Sequence, residues 1–259
     1  MTRVVRFRGD ERKMLACGMR ILLLIALAIV GASDVSAQDA DCARERAGMV
    51  DIVRNYARSD PKVLPSGLSD KVLAALGRTL RHKFIPDGNC AVGYLDRPLP
   101  IGHNSTISQP FMVALMSELA AVPPDGVALE IGTGSGYQAA ILAQLTRKVC
   151  TVEIVQPLAV TSGLVLRELG YDNVDVRIGD GYQGWPECGP YDAIIVTAAI
   201  GEIPPPLIEQ LKVGGKIVMP AGSPGQVQLL MVIDKVGPDK TTMRAVTAVR
   251  FVPFIRPPN

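Results

Sequence analysis

Val127-Ala128-Leu129-Glu130-Ile131-Gly132-Thr133-Gly134-Ser135-Gly136-Tyr137 decides how this chain is read. Apolar residues interrupted only by Glu130 run into three glycines at alternate positions. Gln138-Ala139-Ala140-Ile141-Leu142-Ala143 then follows with helical composition. The stretch predicts a strand, a tight turn and a helix. Glycine has no Cβ and tolerates positive φ, so a ligand can approach such a turn closely. The helix that follows turns its free N–H groups toward that ligand. A nucleotide-like ligand is therefore expected here.

Downstream the alternation continues. Lys148–Ile154, Val174–Ile178, Tyr191–Thr197 and Gly215–Met219 read as strands, with helices over Leu158–Leu169 and Ile203–Leu211 between them. Such alternation predicts an α/β fold, a doubly wound, mostly parallel Rossmann-like sheet with helices on both faces. Beyond Pro220 the pattern changes. Gln226–Lys235 and Thr241–Val252, joined through Gly237-Pro238-Asp239, predict an antiparallel strand pair.

Upstream, residues 39–58 read as a surface helix. Ser69 is placed to cap a second helix over 70–80, and His82 beyond its end reads as a surface residue. Residues 87–107 read as irregular, because Pro98, Pro100 and Gly102 disfavour strand pairing. A loop of this length in a compact domain is often functional. Ser108 suits the N-cap and Pro110 the first turn of the next helix.

The first 37 residues resemble an export signal. A basic region precedes the apolar run Ile21–Val30, and Val35-Ser36-Ala37 offers a small-residue cleavage pattern. The expected organisation is a signal peptide over 1–37, N-terminal helices and a substrate loop over 38–107, and a ligand-binding core over 108–259. The expected location is exported, periplasmic. An uncleaved N-terminal anchor, or a cytoplasmic protein with a misassigned start, is the alternative; a start at Met14 or Met19 would give a more ordinary signal. Residues 1–37 hold six Lys/Arg and three acids, so the 27 basic and 25 acidic residues of the chain become 21 and 22 without them. A near-neutral body gives no electrostatic reason to expect nucleic acid. Cleavage would leave Cys42, Cys90, Cys150 and Cys188, whose pairing is open among three connectivities. With two histidines and no Cys-x-x-Cys pair, no metal site is expected.

Three features fall at predicted strand ends, where a doubly wound sheet binds its ligand: Gly132, Gly134 and Gly136; Glu153; and Asp180 with Gly181. Glu153 is placed to accept ribose hydroxyls, and Asp180 an adenine amino group. The glycines read G-x-G-x-G rather than G-x-G-x-x-G. Glu130 just before them would repel a pyrophosphate but suit an ammonium and a sulfonium. Both details favour S-adenosylmethionine over a dinucleotide, and a nicotinamide oxidoreductase is a distant alternative.

The chain resembles the protein-L-isoaspartate O-methyltransferases over roughly residues 72–255. The resemblance rests on Arg97–Gly102, Thr106–Pro110, Leu129–Ala140, Gly170–Val174, Gly179–Gly181, Ile194–Ala199 and Arg250–Pro253. It implies a class I methyltransferase fold and methylation of the free carboxylate of L-isoaspartyl residues in damaged proteins, a repair reaction. It also implies that Ser108 is the active-site serine, with Thr106 and Ile107 beside the substrate. The implied partners are isoaspartyl proteins and peptides. A monomer is expected, with no stable membrane contact once the signal is cleaved. Asn104 and Ser105 stand where the family has glycine and glutamine. A methyltransferase with another acceptor, or a binding protein without turnover, are the rival readings.

Overall fold

The computed structural model describes residues 42–223 and 225–257. The export reading of residues 1–37 lies outside the described residues. From Glu45 onward the chain groups as one unit.

Helix α1, Ala43–Ser59, buries Met49, Val50, Val53 and Ala57, which recur at helical spacing. Helix α2, Asp70–Arg78, buries Val72, Leu73, Ala75 and Leu76. Its Ser69 makes no side-chain cap. The Ser69 hydroxyl instead donates to Glu118 Oε2 at 2.7 Å, a tie to a distant helix. A 3-10 turn, Arg81–Phe84, follows. His82 within it is buried, not a surface residue, and its Nδ1 lies 2.8 Å from the Tyr94 hydroxyl.

Residues 87–107 also depart from expectation. They hold a one-turn helix α3, Cys90–Gly93, and an antiparallel hairpin of β1, Leu99–Gly102, and β2, Ser105–Ile107. Pro100 pairs opposite Thr106. Both strands of a two-stranded ribbon are edges, where proline is tolerated. The two-residue turn puts His103 at φ 52° and Asn104 at φ 56°. Positive φ at both central positions is what a tight hairpin turn demands.

Helix α4, Pro110–Ala120, starts at Gln109 rather than Ser108. Its early donor, Phe111 N–H, goes to Asp96 Oδ1 at 2.8 Å, a cap supplied from 15 residues upstream.

The Gly-rich stretch folds as read: strand β3, Val127–Ile131, then helix α5, Tyr137–Ala143. Next come β4 (Lys148–Glu153), α6 (Gln156–Glu168), β5 (Val174–Ile178), β6 (Tyr191–Val196) and α7 (Pro205–Gln210). Strands β7 (Leu211–Ala221), β8 (Gln228–Gly237) and β9 (Lys240–Val249) complete the sheet. Its order is β5-β4-β3-β6-β7-β8-β9. Pairs from β5 to β7 are parallel, and β7-β8-β9 is an antiparallel meander. All five residues of β3 are buried, as in a strand covered by helices on both faces. The core joins Leu129, Ile131, Val152, Ile194, Val196, Ile217 and Met219. Cys150 and Cys188 form a disulfide that links β4 to the loop before β6, with Cα atoms 6.6 Å apart. The chain leaves β3 toward β4 and β5, then returns to β6 on the other side. This reversal opens a crevice at the carboxyl end of β3.

Candidate active site

The turn after β3 is shaped by three neighbours. Thr197, just past β6, donates from Oγ1 to Ile131 O at 3.0 Å and Gly132 O at 2.7 Å. Glu153, at the end of β4, accepts from Gly134 N–H at 2.8 Å and Val155 N–H at 2.9 Å. Gly136 caps α5 at φ 89°, and a Cβ there would lie 3.2 Å from Leu166. These ties leave the turn open toward a cavity of about 290 Å³.

Glu130 lines that cavity from within β3 and is fully buried. Its register partner Thr151 donates to Oε2 at 2.6 Å, and Thr151 and Thr133 hydroxyls lie 2.7 Å apart. Oε1 has no partner. Burial pushes the carboxyl up to about 8; the Thr151 hydrogen bond opposes this and the Glu153 charge adds to it. A buried carboxylate oxygen without a donor leaves a place for a cationic or donor group of a ligand. The donor set therefore fits S-adenosylmethionine: Glu130 for positive charge, Glu153 for hydroxyls, and a glycine turn for close approach.

Of the other residues read from sequence, Gly132, Gly134, Thr106, Ile107, Ser108 and Gly181 line the same cavity. Gly136 shapes the turn from behind. Asp180 does not line the cavity. Its Oδ1 accepts from Tyr182 N–H at 3.0 Å, and its Oδ2 from Arg256 Nε at 3.2 Å and Nη2 at 3.1 Å. The Arg256 guanidinium lies 4.0 Å over the Tyr182 ring. A C-terminal strap is tied to the segment after β6, with Ala199 N–H donating to Val252 O at 2.8 Å and Phe254 N–H to Ala199 O at 2.9 Å. Val252–Ile255 of this strap line the cavity.

A second cleft of about 480 Å³ adjoins the first. Thr106, Ser108, Thr197 and Val252 line both. Ser108 thus stands where the two spaces meet. Sequence reading missed Thr197 and the strap as site residues. Thr197 had a signal, since it ends the strand beside the switch point; the strap had none apart from the family resemblance.

A model of the protein-L-isoaspartate(D-aspartate) O-methyltransferase family matches residues 64–257. Protein-L-isoaspartate O-methyltransferase 2 of Syntrophobacter fumaroxidans is 46% identical over 235 residues, 90% of this chain and 94% of that one. The protein of the same name from Polaromonas is 53% identical over 187 residues, 72% of this chain and 89% of that one. A solved protein-L-isoaspartate O-methyltransferase superposes with a TM-score of 0.72 at 28% identity, spanning 80% of this chain and 65% of its own length. A Plasmodium falciparum chain described as an enzyme of the same kind, solved with S-adenosyl-L-homocysteine, shares the fold at a TM-score of 0.68 and 24% identity, over 81% of this chain and 98% of its own. With three quarters of its length matched, this chain belongs to the protein-L-isoaspartate (D-aspartate) O-methyltransferase family.

Proposed function

We propose that this chain methylates the free carboxylate of L-isoaspartyl residues in damaged proteins, using S-adenosylmethionine, and that it works outside the cytoplasm as a monomer. The observation that carries the reading is the meeting of two cavities at Ser108, one with donors for the cofactor and one open for an acceptor. Bound S-adenosylmethionine would supply a methyl carbon on sulfur, passed to the carboxylate oxygen as the C–S bond breaks and its electron pair leaves with sulfur. A carboxylate is already ionised at neutral pH, so no residue has to remove a proton. The chain's contribution is positioning and exclusion of water. Ser108 orients the acceptor, Glu130 faces positive charge, and the Val252–Ile255 strap lines the cavity.

Ser108→Ala should lower turnover of an isoaspartyl peptide at least tenfold while calorimetric affinity for S-adenosylmethionine stays within twofold. Unchanged turnover would remove Ser108 from the reaction. A second reading, another acceptor on the same scaffold, draws on Asn104 and Ser105, which line the cofactor cavity at its lip. Intact cofactor affinity with no transfer to isoaspartyl peptides would favour it.

Export is supported by the pattern of residues 1–37 and by the Cys150–Cys188 disulfide, since disulfides persist in oxidising compartments. No helix among the described residues is long and apolar enough to cross a membrane. N-terminal sequencing of the mature protein should begin at Gln38; a start upstream of the apolar run would contradict cleavage.

A further inference from the structure

Arg81 sits in the 3-10 turn before α3 with no exposed surface. Its hydrogen bonds among the described residues all go to backbone carbonyls. Nη1 donates to Gly93 O, and Nη2 donates to Arg97 O at 3.2 Å and Ser108 O at 3.0 Å. Residues 97 and 108 flank the β1–β2 hairpin, so one nitrogen holds both of its feet. The guanidinium carbon also lies 5.5 Å from the centre of the Tyr137 ring. Tyr137 is the first residue of α5, directly after the glycine turn. Arg81 therefore touches both the segment that carries Ser108 and the element that carries the cofactor turn.

A buried cation is costly to keep, and here backbone carbonyls rather than a bonded carboxylate offset that cost. Lysine would bring one compact charge, whereas the planar fork of arginine reaches several carbonyls in a fixed geometry. What the fork supplies is the spacing between the hairpin and the glycine turn. We propose that Arg81 is a positioning residue for methyl transfer, setting Ser108 and its hairpin against the cofactor turn.

The inference rests on the reading of Ser108 as the residue that orients the acceptor, so its test has a part that does not need turnover. Full-length Arg81→Lys and Arg81→Met are compared with the unaltered protein at a temperature where circular dichroism shows them folded. The expected result is at least a tenfold fall in kcat/KM for an isoaspartyl peptide, with the dissociation constant for S-adenosylmethionine within threefold. Hydrogen exchange should rise across residues 97–108 and stay unchanged across 127–131. Peptide kcat/KM within twofold of the unaltered protein, or an equal loss of cofactor affinity, overturns the proposal, as does unchanged exchange at 97–108. If neither variant folds, Asp96→Ala is used: it frees the same segment by removing the acceptors of Phe111 N–H and Gln109 Nε2, and must show the same split. An unaltered protein inactive on the peptide, with exchange at 97–108 raised in the variants, refutes the acceptor reading and leaves the anchoring intact.

Discussion

Alanine at position 132 should weaken S-adenosylmethionine binding at least tenfold while the chain still folds. A Cβ at Gly132 would lie 2.4 Å from Thr197 Oγ1, closer than real contacts allow, and φ there is 96°. Positive φ outside glycine costs about 1–3 kcal/mol. Thr197 can escape the new methyl only by turning its hydroxyl away, which forfeits its bonds to Ile131 O and Gly132 O. Either way the turn moves, and about 1.4 kcal/mol already means a tenfold loss. Gly134 is the internal comparison. Its Cβ would meet Ile101 at 3.6 Å, an ordinary contact, and its φ of 51° lies in the left-handed region that other residues visit. Gly134→Ala should cost less than Gly132→Ala. Calorimetry on both variants decides it, and equal affinities for Gly132→Ala and the unaltered protein would contradict the account.

Cofactor affinity should also rise with pH up to about 8, approaching tenfold per unit on the acid side. Burial raises the Glu130 carboxyl to about that value, so below it the residue carries a proton. A ligand bearing an ammonium and a sulfonium favours the ionised form and lowers its pKa, so binding releases a proton. One pKa unit is worth 1.36 kcal/mol, which sets the limiting slope. The same group works in the opposite sense on folding. Its pKa is raised on folding from 4.5 to about 8, so its stabilising contribution is complete below 4.5 and is lost as pH rises through 8. The ligand-free protein should therefore melt at lower temperature as pH climbs through that window, and added cofactor should offset the loss. Calorimetry in two buffers of different ionisation enthalpy measures the released proton. Glu130→Gln should bind more weakly and flatten the slope. A pH-independent affinity in the unaltered protein would show that Glu130 does not change protonation on binding.

The parts of the site set by local sequence were legible. Strand, glycine turn and helix follow each other within 17 residues, and Glu130 and Glu153 stand out as carboxylates in apolar strands. What was not legible depends on residues far apart in the chain. Ser108 reads as a helix cap because the pattern around Pro110 asks for one, yet Asp96 takes the donor from across the loop. His82 reads as exposed beside two basic residues, yet Tyr94 folds over it and satisfies its ring nitrogen. No local pattern marks Arg81. Only the fold brings the carbonyls of residues 93, 97 and 108 to one point and makes burying it tolerable. The hairpin was hidden by its prolines, which weigh against pairing in general but not on a ribbon made of two edges. The glycine turn itself is thus written in adjacent residues, while the segment that carries Ser108 is set by long-range contacts.

The central claim is that the acceptor is the isoaspartyl carboxylate. It is tested most directly by incubating the purified protein with methyl-labelled S-adenosylmethionine and two peptides that differ only in one linkage, L-isoaspartyl in one and L-aspartyl in the other. Base-labile label is expected on the isoaspartyl peptide and none above background on its partner. Equal labelling of both peptides, or of neither while the cofactor still binds, would contradict it.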